Sequence, residues 1–141
     1  MDFPAPELSG YAVESTIAEK FQAMVKLGIL NSRMKDFYDV WMLSGARDFK
    51  GDVLAEAIRR TFSRRGTPVT ADSMVFDPQF ARDSDKQTQW TAFAGRPGLE
   101  EAPERFVDVA AAVASFLRPV ARAIVDGLDF DLTWKAPGPW K

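Results

Sequence analysis

The sequence contains no cysteine and no histidine. Without cysteine the chain has no disulfides and no thiolate nucleophile, and without histidine it has no imidazole acid, base or zinc ligand. Any metal ion would depend on carboxylate oxygens, which suit Mg²⁺ better than zinc. The two absences exclude disulfide-stabilised proteins, the common zinc folds and histidine-dependent catalysis.

Long apolar runs and a strong charge imbalance are also missing. The longest apolar run, residues 109–114, is far too short to span a membrane, and no leader of charged then apolar residues opens the chain. We therefore expect a cytoplasmic protein without a membrane segment. The net charge of −2 argues against nucleic-acid binding through overall charge. With 141 residues, 46% of them hydrophobic, the chain suits one domain with a single core.

The most informative segment, residues 31–41, combines charged pairs with an apolar stripe. Arg33 precedes Asp36 by three residues, and Lys35 precedes Asp39 by four. At these spacings each pair can meet on the surface of one helix. Beside them runs a stripe with helical spacing, formed by Met34, Phe37, Tyr38 and Trp41. Such a segment suits a phosphate- or metal-handling site, but an ordinary ion-paired surface helix has the same pattern and is the simpler explanation from spacing alone.

Apolar periodicity and turn residues predict an all-α single domain of five or six helices around one core, with little or no sheet. An extended lead-in is expected over residues 1–12, a helical domain over 13–126 and an irregular tail over 127–141. The predicted helices cover about 14–27, 32–45, 52–66, 84–94 and 103–117. Pro119 is expected either to kink the last of them or to start a further segment to about residue 126.

Several helix ends can be predicted from local sequence. Thr16 and Glu19 match a capping box, Asn31 or Ser32 is expected to cap the second helix and Asp52 the third, and Pro103 suits the first turn of the fifth. Gly28 and Gly66 are well placed to end the first and third helices. The first two helices, joined by a short loop, are expected to be antiparallel neighbours, with Lys20 and Asp36 close together at an open cleft.

A second concentration of charge lies near the end of the third predicted helix, at Arg59, Arg60, Arg64 and Arg65. Cations in a last helical turn interact favourably with the helix dipole, which is the simpler explanation. A patch that contacts RNA or a nucleoside triphosphate is the alternative.

Two short sequences together resemble a known family. Residues 16–23 read TIAEKFQA and residues 31–39 read NSRMKDFYD, and the likeness continues through residues 57–67 and 87–93. These segments resemble the C-terminal helical portion of the AbiEii/AbiGii nucleotidyltransferase toxins, which belong to bacterial abortive-infection and type IV toxin–antitoxin systems. The resemblance covers about residues 13–118.

The resemblance implies roles for individual residues. Lys20 would contact the nucleotide phosphates, Asp36 would act as a base or polar anchor, and Asp39 is the further candidate for a catalytic role. Arg33 and Lys35 would join Lys20 in binding the nucleotide. A complete family member would use Mg²⁺ and a nucleoside triphosphate, with RNA as a candidate acceptor and an antitoxin as a partner.

The sequence departs from the family pattern in the metal-binding half of the site. Neither a Gly-Ser nor a Gly-Gly-Thr sequence precedes Lys20, and no Asp-x-Asp pair lies upstream of it. One such pair, Asp129-Phe130-Asp131, lies near the end of the chain, where we expect a loop. We therefore predict no metal site and no catalysis by this chain alone.

Three interpretations stay open. The chain is a fragment of a nucleotidyltransferase toxin, a truncated remnant, or a non-catalytic helical module that docks an antitoxin or a separate catalytic chain. An apolar surface left by a missing nucleotidyltransferase domain would also make the chain a candidate homo-oligomer.

Overall fold

Six α-helices and one short sheet make up the part of the chain that the computed structural model describes, residues 9–28 and 32–141. The helices are α1 Ser9–Leu27, α2 Met34–Ala46, α3 Gly51–Arg64, α4 Pro78–Ala81, α5 Ser84–Ala94 and α6 Phe106–Val125. A 3₁₀ turn covers Met74–Phe76, and strands β1 Phe49–Lys50 and β2 Thr133–Trp134 pair antiparallel. The predicted all-α fold with five or six helices is confirmed.

Helix α6 is the central element of the core and packs against α2, α3, α4 and α5. Its buried residues recur at helical spacing, as the sequence predicts for a core helix; they include Phe106, Val109, Val113, Phe116, Leu117 and Val120. Helix α1 packs on both α2 and α3. No described helix is long and apolar enough to cross a membrane.

Helix α6 continues through Pro119 to Val125. Pro119 is exposed, so the carbonyl that loses its partner one turn earlier can bond to water. Of the two alternatives predicted for Pro119, a separate further segment is therefore wrong, because one helix runs to Val125. A kink at Pro119 stays a prediction.

The start of α1 differs from the prediction. The helix begins at Ser9, so residues 9–12 are helical rather than extended, and Thr16 and Glu19 lie inside the helix rather than in a capping box. Val13 packs against the core, which gives the helix apolar contact upstream of the predicted start. Residues 1–8, predicted to be extended, lie outside the described residues.

Three other helix starts also differ from the prediction, and at two of them, α3 and α6, a group distant in sequence accepts from the first N–H of the helix. The position before α2 is Arg33, without a side-chain cap, rather than Ser32; the alternative, Asn31, lies outside the described residues. Helix α3 begins at Gly51, whose N–H donates to the carbonyl of Leu132 at 2.8 Å. Helix α6 begins at Phe106, not Pro103, and the N–H of Phe106 donates to the side-chain carbonyl of Gln87.

The predicted glycine ends of the first and third helices are confirmed. Gly28 and Gly66 follow α1 and α3 with φ angles of 70° and 66°. At these left-handed angles glycine carries no steric penalty, so it stops a helix at little cost.

The tail over residues 127–141 has little regular structure but is packed into the fold. Phe130 and Trp134 are buried, and together with Phe116 and Trp140 they form what we call the tail aromatic cluster, with ring centroids 4.8–5.7 Å apart. The indole N–H of Trp134 donates to the carbonyl of Ser44 at 2.7 Å, and that of Trp140 donates to the carbonyl of Phe116 at 2.8 Å. The tail therefore joins the end of α2 to the middle of α6.

Candidate functional site

Helices α1 and α2 bring the five predicted site residues into one ion-pair network, which we call the charge cluster. The Nζ of Lys20 lies 3.4 Å from Oδ1 of Asp36 and 3.0 Å from Oδ2 of Asp39. The Nε of Arg33 lies 3.0 Å from Oδ2 of Asp36, and the Nζ of Lys35 lies 2.9 Å from Oδ2 of Asp39. The expectation that Lys20 and Asp36 lie close together is confirmed; their chemical roles stay a prediction.

Local sequence explains why the cluster forms at the edge of the α1–α2 contact. Ile17, Phe21 and Met24 are buried on α1, and Phe37 and Val40 are buried on α2. Lys20 directly precedes a buried position, so its stem lies along apolar surface and its ammonium reaches the carboxylates of α2.

Burial decreases outward through the cluster. The side chain of Asp36 is 3% exposed and that of Asp39 is 14% exposed, while Lys20 is 24% exposed. Arg33 and Lys35, at 61% and 65%, face solvent. A carboxylate as buried as Asp36 is tolerated only when charge-assisted bonds satisfy it, and Lys20 and Arg33 supply one to each oxygen.

The pKa of Lys20 is shifted by two opposing effects. Partial burial disfavours the ammonium, but the hydrogen bond to Asp39 and the charges of Asp39 and Asp36 outweigh it, so the pKa of Lys20 is raised above its ordinary value. Lys20 therefore carries its positive charge at physiological pH.

A cleft of about 360 Å³ borders Lys20, and α3 contributes to it. Its lining includes Arg33, Gln22 and, from the end of α3, Arg65. Arg65 pairs with Oε1 of Glu19 at 2.8 Å, and the Gln22 amide donates to the Thr67 hydroxyl at 2.9 Å. Sequence reasoning did not assign Glu19, Gln22 or Arg65 to the site, although the arginine concentration signalled that this helix end is unusual.

The four arginines at and just after the end of α3 divide into two pairs. Arg59 and Arg60 bind Glu56 on their own helix and lie outside the lining of this cleft. Arg64 and Arg65 instead bind Glu19 of α1, with Arg64 Nη2 2.7 Å from Oε2. Only the second pair stands beside the charge cluster.

The cleft region is positive although the whole chain is negative. Five cations, Lys20, Arg33, Lys35, Arg64 and Arg65, face three carboxylates, Glu19, Asp36 and Asp39. This excess of two positive charges contrasts with the net charge of −2 for the chain. The local field therefore favours an anion at the cleft.

The described residues do not offer a fitting Mg²⁺ site. Asp36 and Asp39 already bind cationic side chains, and among the described residues no group of three or more histidine, cysteine or carboxylate side chains is placed to hold a metal ion. The Asp129–Asp131 pair lies in a loop, as predicted. A second Asp-x-Asp sequence, residues 83–85, was not among the predicted features. The carboxylate of Asp83 accepts the N–H of Asp85 and caps α5, so this pair serves a helix start.

Comparison with known proteins identifies the family. The family model described as nucleotidyl transferase AbiEii toxin, Type IV TA system, matches residues 1–113, which include the whole charge cluster and the end of α3. Neither the comparison with curated proteins nor the comparison with solved structures gives a match for the chain. Because the family match spans well over half of its residues and contains the α1–α2 site, the chain belongs to the AbiEii nucleotidyl transferase toxin family of type IV toxin–antitoxin systems.

Proposed function

We propose that the charge cluster is the phosphate-binding part of a nucleotidyltransferase site. The observation that carries the proposal is the position of Lys20, a cation held between two carboxylates at the border of a positive cleft. Nucleotidyl transfer depends mainly on positioning and charge stabilisation of phosphate groups, and a fixed ammonium supplies both.

The three cations of the charge cluster, Lys20, Arg33 and Lys35, would contribute to nucleotide binding in different ways. Lys20 is held in place by Asp36 and Asp39, so it would present its charge with little loss of side-chain freedom. Arg33 and Lys35 are exposed and each has one carboxylate partner, so they could turn toward a triphosphate when one arrives. Arg65, at the other side of the cleft, is a further candidate for phosphate contact.

The carboxylates would position Lys20 rather than hold metal. Both oxygens of Asp36 bind cations, and its burial keeps it away from bulk water. Of the two roles that the resemblance implies for Asp36, the polar anchor therefore has better support than the base. Asp39, which binds both Lys20 and Lys35, would act in the same way.

Transfer activity would require groups that the described residues do not supply. A phosphoryl-transfer site needs metal-holding carboxylates beside the phosphates, and those of the charge cluster are already occupied by cations. We therefore expect no nucleotide transfer from this chain alone. An antitoxin partner, an RNA acceptor and a cytoplasmic location remain predictions for the complete system.

The test is calorimetric titration with each of the four ribonucleoside triphosphates and Mg²⁺, together with transfer of labelled nucleotide onto bulk tRNA. We expect weak, salt-sensitive binding that is lost in Lys20→Met and kept in Lys26→Met, a matched control on an exposed position of the same helix. Binding that survives unchanged in Lys20→Met would contradict the phosphate role. Transfer that disappears in Asp36→Asn would show that a complete site exists in these residues.

The second candidate is a non-catalytic helical module that docks an antitoxin or a separate catalytic chain. The observation that favours it is that the charge cluster is already satisfied, since both carboxylates have cationic partners without any ligand. No nucleotide binding at millimolar concentration, by a wild-type chain shown to be folded, would favour this candidate over the first.

A further inference from the structure

A large groove lies elsewhere on the molecule, and none of its lining residues belongs to the cleft beside Lys20. It has a volume of about 770 Å³ and runs between α6 and the segment that holds the 3₁₀ turn and α4. Its apolar floor includes Val75, Phe76, Ala110 and Ala114. The lining of α6 extends from Val107 to Arg122, roughly 22 Å at 1.5 Å per residue. The groove is long enough to hold an extended or helical segment of protein.

Three arginines, Arg82, Arg118 and Arg122, stand along this groove. Arg118 and Arg122 share Asp72, at 3.6 and 3.0 Å, whereas Arg82 is exposed and forms no ion pair with another described residue. The carboxylate of Asp77, also in the lining, accepts the N–H of Gln79 at the start of α4. The rim therefore keeps an excess of positive charge around an apolar floor.

The same chain carries a surface with the opposite properties, residues 125–132, which we call the acidic patch. Val125, Leu128 and Leu132 are 49%, 59% and 41% exposed, and they are three of the five large apolar side chains exposed among the described residues. The carboxylates of the segment are Asp126, Asp129 and Asp131; all three are exposed, and none forms an ion pair with another described residue. Exposed apolar groups concentrated in this way usually mark an interaction surface.

We infer that the groove binds the acidic patch of a second copy of this chain. Apolar side chains of the patch would cover the apolar floor, while its unpaired carboxylates would meet the arginines of the rim. This inference is independent of the proposed nucleotide site, because the groove and the charge cluster have no lining residue in common.

The neighbouring positions of the two surfaces favour a closed dimer. Arg122 at the end of the groove and Val125 at the start of the patch lie within one turn of α6. A twofold axis near this turn would let the groove of each copy receive the patch of the other, with both contacts made at once. Two contacts formed together avoid the open chains that a single head-to-tail contact would produce.

Sedimentation velocity on the full chain, from about 1 to about 200 µM, tests the inference. We expect a dimer for the wild type. Arg82→Glu/Arg122→Glu in the groove, and separately Asp129→Arg/Asp131→Arg in the patch, should each weaken dimerisation at least about tenfold, because like charges would then face each other. An equimolar mixture of the two variants should recover the dimer, since each mismatched surface finds a matching one on the other variant.

The controls separate this interface from general effects of charge. Arg59→Glu/Arg60→Glu reverses two exposed charges on α3, outside the groove, and should dimerise like the wild type. Circular dichroism checks that each variant is folded. If Arg82→Glu/Arg122→Glu unfolds, Arg82→Glu alone replaces it, because Arg82 has no ion pair with another described residue to lose. A monomeric wild type over the whole range, reversals without effect, or a mixture that stays monomeric would each overturn the inference.

Discussion

The charge cluster and the tail aromatic cluster both join distant parts of the chain, but different forces hold them. In the charge cluster, Lys20 reaches across from α1 to carboxylates on α2, and the most buried member, Asp36, pairs with two cations. In the tail, Trp134 is buried against Phe116, with ring centroids 4.8 Å apart, and its one polar group donates to the carbonyl of Ser44. The first region carries a desolvation cost that the second avoids.

This difference separates a region that mainly stabilises the fold from the region to which we assign the proposed function. Buried ion pairs often contribute little net stability, because desolvation offsets their attraction, whereas buried aromatic side chains contribute several kcal/mol. The charge cluster lies inside the family match over residues 1–113, and the tail aromatic cluster lies beyond it. The charge cluster, with its desolvation cost, thus lies in the part of the chain for which the family resemblance implies nucleotide binding.

The largest effect should come from removing the centre of the tail. Trp134→Ala is expected to lower the free energy of unfolding by about 3–5 kcal/mol, since it leaves a cavity and an unpaired Ser44 carbonyl. Trp134→Phe keeps most of the ring and should cost less, about 1–2 kcal/mol. Urea unfolding followed by circular dichroism measures both. A loss below about 1 kcal/mol for Trp134→Ala would show that the tail does not stabilise the fold.

A smaller effect is expected from the buried carboxylate of the charge cluster. Asp36→Asn keeps the shape but removes the charge that Lys20 and Arg33 share, and it should cost about 2 kcal/mol. Asp39→Asn, at the more exposed position, should cost about 1 kcal/mol. The same unfolding measurement compares the two variants. Equal losses would mean that burial does not distinguish these carboxylates.

The stabilisation by Lys20 should depend on pH. Its pKa is raised in the folded state, so its contribution is fully present below the ordinary lysine pKa of 10.5 and is lost as the pH rises through the raised value. We expect Lys20→Met to be less stable than the wild type by about 1 kcal/mol at pH 7, and the difference should shrink above pH 10.5. Lys26→Met serves as the control, and urea unfolding from pH 7 to beyond pH 10.5 should show no such trend for it.

The smallest effect concerns a partly buried carboxylate without the partners that Asp36 has. Oε1 of Glu14 is buried and makes no hydrogen bond to the described residues, and burial raises the pKa of Glu14 despite its own backbone hydrogen bond and the charge of Arg47. Glu14→Gln should stabilise the fold slightly at pH 7, by less than about 0.5 kcal/mol.

The pH dependence for Glu14 has a definite sign. A raised folded-state pKa means that the charged form is the disfavoured one, so the advantage of Glu14→Gln is absent below pH 4.5 and develops as the pH rises through the raised value. Thermal unfolding at pH 4 and pH 7 tests this. An advantage of equal size at both pH values would show that the charge of Glu14 is not its cause.

Local sequence was enough to predict most helices and the start of α5, but not where several of the others begin. The spacing of Val109, Val113 and Phe116 follows from the period of a helix, and Gly66 ends α3 through its own backbone angle. The starts of α3 and α6 depend on Leu132 and Gln87, which lie 81 and 19 residues away along the chain. No local pattern encodes such partners.

The candidate site was likewise predicted only in part: its local charge pairs were predicted, and its contacts with the end of α3 were not. The charges of α2 pair at short helical spacing, and the short α1–α2 connection made a meeting of Lys20 with Asp36 the natural expectation. Glu19 and Arg65 were not assigned, because their contact exists only once α3 packs on α1. Their chemical roles, like those of the five predicted residues, stay proposals for the experiments above.

The sequence by itself determined the helical class, the absence of thiol and imidazole chemistry, and the family, because composition, periodicity and short motifs are properties of neighbouring residues. Only the tertiary structure decided that the tail packs into the core, that Arg65 stands beside Lys20 rather than merely ending a helix, and that an arginine-lined groove and the acidic patch share one end of α6. The physical reason is common to all three: burial and long-range charge pairing depend on which helices touch, and many alternative contacts are compatible with the same local pattern.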